Sequence, residues 1–259
     1  DLIEEETVVI TLTHNGYVKR LPQAEFKTQN RGGRGIQGTG VHDDDFVEHL
    51  LSTSTHDVLL FFTNSGKVYR AKGYEIPEYG RTAKGIPIIN LLGIDNNEKI
   101  QAVINVHPGG DDGKDYLFFV TRHGVVKRTP VGEFLNIRKN GLIALNMKPD
   151  DELSQVIPTT GENTLLIGTH NGYSVTFAEE DVRSMGRSAT GVRGIRLRDD
   201  DYVVGADVLA PDAEVLVVSE KGYGKRTAAK EYPVKGRSGK GIKTANITEK
   251  NGPLAIVTT

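Results

Sequence analysis

The chain has 259 residues, 37% of them hydrophobic, and its 32 basic and 34 acidic residues give a formal net charge of −2. It contains no cysteine, which excludes disulfides and thiolate metal sites and fits a reducing cytoplasm. No apolar run approaches the roughly 20 residues of a membrane-spanning helix, so the sequence predicts neither membrane spans nor a signal peptide.

Hairpin signals recur along the chain. Each of five glycines follows one strand-like run and opens another: Gly16, Gly66, Gly124, Gly172 and Gly222. Asn15-Gly16 and Asn171-Gly172 are strong signals for tight hairpins, because a primed turn requires positive φ. The sequence therefore predicts one hairpin near the start of each of five units.

A second series of glycines recurs with nearly the same spacing as the hairpin glycines. Each of its members closes a short phrase that contains basic residues: Arg31–Gly35, Arg81–Gly85, Ile137–Gly141, Arg187–Gly191 and Arg237–Gly241. These glycines are separated by 50 or 56 residues. A fixed period of this size is typical of propeller-like or solenoid arrays. The predicted repeats span residues 7–55, 57–107, 115–158, 163–210 and 213–259, within a single domain of residues 1–259.

Each repeat is predicted to form four short strands. In the second repeat these are Val58–Thr63, Lys67–Ala71, Gly85–Leu91 and Lys99–Val106. The first of them is apolar without alternation, as expected of an inner strand that is covered on both faces. Blades of four strands favour an all-β, propeller-type array, and the absence of tryptophan excludes the WD type.

The charges are segregated in spite of the small net charge. Seven basic residues and one acidic residue lie between Gly222 and Lys243, whereas acidic triplets occur at Asp43–Asp45 and Asp199–Asp201. The distribution of charge decides which partners a protein can bind, so separate basic and acidic zones are expected. The triplets lack the spacing of an EF-hand, and solvated turn acids are a better interpretation than a calcium site. No metal site is predicted.

The densest basic phrase is Gln29–Gly38, with four glycines and two arginines. Glycine lets backbone N–H groups approach an anion closely, and arginine adds a planar fork suited to phosphate oxygens. Such a loop would bind a nucleic-acid backbone with little base preference. The alternative interpretation is an ordinary glycine-rich turn with solvated arginines. It is less favourable because related basic phrases recur at the same position in the four other repeats.

Gln29–Gly38 resembles the conserved box in the C-terminal domain of the bacterial DNA gyrase A subunit, with Asn30 where that family usually has arginine. The phrases Gly16–Arg20 and Gly236–Ala245 also resemble this family, and the similarity spans essentially the whole chain. It implies a β-pinwheel, a propeller variant whose blades exchange strands, with about five blades here. Either a sixth blade is missing from this piece, or the ring has five blades as in topoisomerase IV relatives. The chain begins at Asp1 without methionine, and we expect it to be a piece of a longer polypeptide.

The resemblance implies a DNA-binding domain that performs no chemistry itself. Duplex DNA would wrap around its basic perimeter in a positive crossing. Strand passage by the rest of the gyrase A subunit, in a heterotetramer with the gyrase B subunit, would then yield negative supercoils. ATP and Mg²⁺ would be used elsewhere in that bacterial, cytoplasmic and nucleoid-associated enzyme. No cofactor and no catalytic residue is expected in this chain.

The expected DNA-binding residues are the box and its equivalents, together with the basic residues that follow the hairpin glycines. They are Arg31, Gly32, Gly33, Arg34, Gly35, Lys19, Arg20, Lys67, Arg70, Arg81, Lys84, Lys127, Arg128, Arg187, Lys225, Arg226, Arg237, Lys240 and Lys243. Because side chains alternate faces along a strand, only one member of each pair, such as Lys19 and Arg20, need face the DNA.

Two alternatives remain at this stage. The related polypeptide of topoisomerase IV shares the fold and commonly has a degraded box, so the chain could come from that enzyme. A propeller that serves as a protein-interaction platform, with its acidic triplets docking a basic partner, belongs to another functional class.

Overall fold

The computed structural model describes residues 2–27, 44–110, 112–138 and 141–259. Short strands follow one another along this part of the chain, and the two α-helices found among the described residues have five residues each. In chain order the elements through residue 143 are β1 (Thr7–Thr13), β2 (Tyr17–Pro22), α1 (Gln23–Lys27), β3 (Val47–Ser54), β4 (Val58–Thr63), β5 (Lys67–Lys72), β6 (Ile86–Pro87), α2 (Ile88–Leu92), β7 (Ile100–Val106), β8 (Tyr116–Thr121), β9 (Val125–Pro130) and β10 (Leu142–Ile143).

The remaining strands are β11 (Leu153–Thr159), β12 (Thr164–Thr169), β13 (Tyr173–Ala178), β14 (Val192–Arg193), β15 (Val203–Val208), β16 (Glu214–Ser219), β17 (Gly224–Ala228), β18 (Ile242–Lys243) and β19 (Leu254–Thr258). Short 3-10 helices lie at Gly73–Glu75, Val131–Phe134, Glu179–Asp181 and Ala229–Glu231.

The described strands form five sheets. Four have four strands, in the orders β3–β1–β2–β6, β10–β5–β4–β7, β11–β8–β9–β14 and β15–β12–β13–β18, and the fifth has the order β17–β16–β19. Every pairing within these sheets for which a register is given is antiparallel. The predicted all-β class is confirmed.

Repeats exchange short strands with their neighbours. β6 follows the basic phrase of the second repeat, yet it pairs with β2 of the first repeat, with Val18 opposite Ile86. In the same way β14 pairs with β9, and β18 pairs with β13. The exchanged strand is the fourth strand of each such sheet, as the predicted β-pinwheel requires.

The innermost strands are apolar because both of their faces are covered. All six residues of β4 are buried, which confirms the interpretation of its unbroken apolar run. Between residues 85 and 91, however, the prediction of one long strand is wrong. Pairing ends after Ile86 and Pro87, and α2 follows and ends at Gly93 with φ 68°. Proline has no N–H with which to extend the ladder, and the left-handed glycine stops the helix.

The chain divides into two compact units. The first comprises residues 1–63, 67–112 and 135–142, and the second comprises residues 64–66, 113–134 and 143–259. Leu12, Leu59 and Phe61 lie in the core of the first unit. Phe118 and Phe177 lie in one core cluster of the second unit, and Val215 and Val257 lie in another. The single-domain prediction for residues 1–259 stays a prediction.

Candidate nucleic-acid interface

Three basic loops are described in full, at residues 80–85, 186–191 and 236–241, and each ends in a glycine that leads into an exchanged strand. Gly85, Gly191 and Gly241 have φ of 98°, 103° and 84°. A Cβ atom at Gly191 would lie 2.4 Å from the carbonyl oxygen of Val126, and one at Gly85 would lie 2.4 Å from that of Val18. Glycine is therefore required at these positions both by the backbone conformation and by the close approach of the neighbouring strand.

The cations of the first two of these loops lie near the surface. Arg81, Lys84 and Arg187 are partly exposed. The Lys84 ammonium lies 4.1 Å from the centre of the Tyr17 ring, a cation–π contact that leaves the charge at the surface. These loops thus carry positive charge on a glycine-containing backbone, as the sequence predicted.

In the third loop Arg237 is anchored while Lys240 is exposed. The Arg237 Nε donates to the carbonyl oxygen of Asp181 at 3.1 Å, and its Nη1 donates to that of Arg193 at 3.0 Å. The guanidinium is therefore oriented by carbonyl oxygens. Its positive charge is not cancelled by these neutral acceptors.

Lys19 is a correction to the predicted interface. Its side chain is fully buried, and its ammonium donates to the carbonyl oxygens of Gly80 at 2.8 Å, Arg81 at 3.0 Å and Ala83 at 2.9 Å. The residue therefore contacts the backbone of the next repeat's basic loop and cannot itself reach a phosphate. The prediction that Lys19 touches DNA is wrong.

Lys127 repeats this arrangement two units further along the chain and is corrected for the same reason. It is fully buried, and its Nζ donates to the carbonyl oxygens of Gly186 at 2.9 Å, Arg187 at 2.9 Å and Ala189 at 3.4 Å. It also donates to the carbonyl oxygen of Ala144. Several carbonyl acceptors keep a buried ammonium solvated by the protein itself.

Arg128, the neighbour of Lys127, is also buried and is likewise not a phosphate ligand. Its side chain is 10% exposed, its Nη1 lies 3.5 Å from a carboxylate oxygen of Glu179, and its guanidinium lies 4.4 Å from the centre of the Tyr116 ring. Because side chains alternate along a strand, Lys127 and Arg128 lie on opposite faces of β9, but both faces are covered by other parts of the protein. Arg128 therefore forms a buried ion pair with Glu179 inside the protein and does not face solvent.

Arg20 and Arg70 are half-buried and donate to carbonyl oxygens. Arg20 Nε bonds Ile76 at 2.9 Å, and Arg70 Nη1 bonds Leu135 at 3.4 Å. Their contact with DNA stays a prediction. So does that of Lys67, whose ammonium lies 3.7 Å from Asp95 and 3.8 Å from Glu98.

Lys225, Arg226 and Lys243 are exposed. Lys225 occupies the same place after the hairpin glycine as Lys19 and Lys127, yet its side chain lies at the surface. The predicted box residues Arg31, Gly32, Gly33, Arg34 and Gly35 lie outside the described residues.

Sequence reasoning missed three arginines that lie beside the 236–241 loop. Arg193 accepts from Arg237 through its carbonyl, the backbone N–H of Arg196 donates to Gly239 at 2.8 Å, and Arg198 Nη1 donates to the carbonyl oxygen of Lys240 at 2.7 Å. We call Arg193, Arg196, Arg198, Arg237 and Lys240 the basic cluster. The signal was present in the segment 191–198, where three arginines occur within six residues.

The third member of each acidic triplet has a structural role that the sequence did not reveal. Asp45 Oδ1 accepts from the backbone N–H groups of Asn15 and Phe46, both at 2.9 Å, and Asp201 accepts in the same way from Asn171 and Tyr202. Burial alone would raise the pKa of Asp45, but these hydrogen bonds outweigh it and hold the pKa below its ordinary value. These aspartates secure the hairpin turns and are not solvated.

Burial lowers the pKa of Lys127 from 10.5 to about 8. Between these two pH values the unfolded chain holds a proton that the folded chain has lost, so this residue's contribution to stability rises with pH. The slope is at most about 1.4 kcal/mol per pH unit. We therefore expect Lys127→Met to lose less stability relative to wild type at pH 7 than at pH 10.

Urea unfolding of both proteins at the two pH values measures this difference. Lys225→Met, which removes the same charge from an exposed position, controls for the change in net charge. An equal gap at both pH values, or a larger gap at pH 7, would contradict the prediction.

Within the described residues no three histidine, aspartate or glutamate side chains are grouped so that they could hold a metal ion. No helix in that part of the chain is long and apolar enough to cross a membrane.

Comparison with known proteins identifies relatives over the whole chain. The family described as DNA gyrase C-terminal domain, beta-propeller matches residues 7–54, 57–107, 115–160, 163–210 and 213–254. The DNA gyrase A subunit of Staphylococcus epidermidis is 53% identical over 100% of this chain, which covers 29% of that protein. The chain thus spans less than a third of this relative.

Two solved structures are similar in fold. One is described as the C-terminal domain of DNA topoisomerase IV, with a TM-score of 0.81 and 30% identity, over 99% of this chain and 78% of that one. The other is described as the DNA gyrase A C-terminal domain, with a TM-score of 0.74 and 28% identity, over 96% of this chain and 81% of that one.

Proposed function

This chain belongs to the family of DNA gyrase C-terminal domains, and from that premise we propose that it binds duplex DNA through its basic loops and wraps it in a positive crossing. The crossing lets the complete gyrase heterotetramer introduce negative supercoils. ATP hydrolysis and strand cleavage take place in other parts of that bacterial, cytoplasmic enzyme. This chain contributes the surface around which the DNA wraps.

The observation that carries the proposal is the basic cluster. Arg193, Arg196 and Lys240 are exposed, and backbone hydrogen bonds join the segments that bear them. Contacts from such side chains to phosphate oxygens supply affinity that does not depend on base sequence. A domain that must accept whatever DNA the enzyme encounters requires that kind of binding.

The orientation of the arginines supports phosphate recognition. Arg198 stacks at 3.5 Å over the centre of the Tyr173 ring and also donates to a loop carbonyl, and Arg237 is held by two carbonyl oxygens. Guanidinium groups held in one orientation lose little side-chain entropy when they bind an anion. The cluster is therefore arranged in advance for a charged backbone.

The test is a triple variant of the complete enzyme, Arg193→Ala with Arg196→Ala and Lys240→Ala. The matched control removes three exposed charges outside the basic cluster, with Lys148→Ala, Arg183→Ala and Lys230→Ala. Duplex affinity at low salt should fall at least tenfold only in the first variant. The slope of log K against log salt should become shallower by about 0.9 for each lost phosphate contact.

The same triple variant should lose negative supercoiling and retain ATP-driven relaxation, because relaxation does not require a wrapped crossing. Supercoiling equal to that of the control variant would contradict the proposal. The likeness to a topoisomerase IV domain favours a second function, substrate selection in that enzyme. A parent enzyme that decatenates efficiently and does not supercoil would establish this second function in place of the first.

A further inference from the structure

The basic loops differ in what lies beneath them. The three fully described loops pack against the first, third and fourth hairpins, and the residue three places after the glycine of those hairpins is Lys19, Lys127 and Val175, respectively. These three positions are structurally equivalent. In each case the residue directly before them has its carbonyl oxygen against the place where a Cβ atom on the loop's last glycine would lie: Val18 for Gly85, Val126 for Gly191 and Ser174 for Gly241.

Beneath each of the loops at 80–85 and 186–191, a buried lysine ammonium donates hydrogen bonds to three carbonyl oxygens of the loop. In the second of these, Lys127 bonds the carbonyls of Gly186, Arg187 and Ala189. In a trans peptide the N–H group points opposite to the carbonyl oxygen of the same peptide plane. The backbone N–H groups of Arg187, Ser188 and Thr190 are therefore directed away from the buried lysine.

The loop at 236–241 lacks this lysine and has a different backbone. A cavity of about 230 Å³, lined by Val175, Gly236 and Gly239 among others, occupies the corresponding place. Ser238, which is equivalent to Ser188, has φ 72°. Its backbone N–H donates inward to the carbonyl oxygen of Gly194 at 2.7 Å. Without the ammonium, this N–H group is used inside the protein.

We infer that Lys19 and Lys127 are positioning residues that turn the next repeat's loop into a phosphate-binding concavity made of backbone N–H groups. The donors are those of Arg81, Thr82 and Lys84 in one loop and those of Arg187, Ser188 and Thr190 in the other. Successive N–H groups facing one side form an anion-binding nest, and the loop cations add charge beside it. This inference rests on the proposed function, since DNA supplies the phosphate.

The loops therefore divide into two kinds. The loops above Lys19 and Lys127 offer both backbone donors and side-chain charges to a phosphate. The loop above Val175 offers side-chain charges alone, from the basic cluster. A difference in the chemistry of phosphate binding follows from one residue that never touches DNA.

The experiment measures amide hydrogen exchange of the complete enzyme with and without a random-sequence duplex. In wild type, DNA should slow exchange at residues 187–190. In Lys127→Met this protection should be lost and the dissociation constant should rise about tenfold. The matched control Lys230→Met removes the same charge from an exposed position outside the predicted DNA-binding residues and should leave both the affinity and the protection at 187–190 unchanged.

A gain-of-function variant covers the case in which Lys127→Met does not fold. Val175→Lys places an ammonium in this cavity and should free the Ser238 N–H group from Gly194. DNA should then slow exchange at residues 237–240, and binding should tighten about threefold. A folded Val175→Lys enzyme without new protection would overturn the inference, as would unchanged protection at 187–190 in Lys127→Met.

Failure of the inference can be told apart from failure of the proposed function. If the triple variant of the basic cluster binds duplex as its control does, the proposed function fails. If that variant loses affinity while Lys127→Met retains both affinity and protection, only the positioning role fails.

Discussion

Replacing Glu179 by alanine should reduce the free energy of unfolding of this chain by about 3–5 kcal/mol, the range observed when one partner of a buried ion pair is removed. The Glu179 side chain is fully buried. One oxygen accepts from the backbone N–H groups of Gly161 at 2.8 Å and Asn163 at 2.7 Å, and the other accepts from Thr159 Oγ1 at 2.7 Å and lies 3.5 Å from Arg128.

The loss is large because alanine leaves several buried groups without their acceptor at once. Two N–H groups, a hydroxyl and a guanidinium would each retain a desolvation cost without the compensating bond. Urea unfolding of the chain measures the change. Glu180→Ala, at the adjacent exposed position, is the control and should stay within about 0.5 kcal/mol of wild type. A loss below about 1 kcal/mol for Glu179→Ala would mean that the network is not a stabilising centre.

Replacing Gly191 by alanine should destabilise the chain by at least about 3 kcal/mol, because two costs act together. Positive φ costs a residue with a side chain roughly 1–2 kcal/mol. The new Cβ atom would also lie 2.4 Å from the carbonyl oxygen of Val126 and 3.2 Å from Cβ of Lys127. Both neighbours belong to β9, so the exchanged strand β14 would have to move away from its partner.

Gly222→Ala separates the two costs. Gly222 has φ 87°, and no heavy atom lies within 4 Å of the place where its Cβ atom would be. This variant should show the backbone cost alone. Urea unfolding and amide exchange at Val192 and Arg193 check the prediction. If Gly191→Ala costs no more than Gly222→Ala, the close approach of the strands is not a source of strain.

The repeat and its strands could be predicted because they depend on local patterns. The apolar run at Val58–Thr63 can be recognised as a buried strand without knowledge of its neighbours. The structure shows a buried strand with the predicted bounds. The hairpin glycines have positive φ as their turns require, with Gly16 at 91° and Gly172 at 92°. The propeller class followed from the spacing of these signals, the family resemblance was carried by the motif Gln29–Gly38 and its related phrases, and both are confirmed.

The site was predicted less completely, because the sequence gives the charge of a residue but not the depth at which it lies. Lys127 and Lys225 occupy the same place in their repeats, yet one is fully buried and the other is exposed. The difference depends on the loop of the following repeat, which covers Lys127 with carbonyl oxygens. A contact between residues about 60 positions apart has no local signature.

The sequence alone determined the period, the inner strands such as Val58–Thr63, the glycines at positive φ and the family, because each depends on residues near one another in the chain. The tertiary structure alone decided which basic residues reach the surface, that Glu179 neutralises Arg128, and that Arg193, Arg196 and Arg198 lie beside the 236–241 loop. The physical reason is strand exchange. It places one repeat's backbone over another's side chains, and burial then decides whether a cation binds carbonyl oxygens inside the protein or faces solvent.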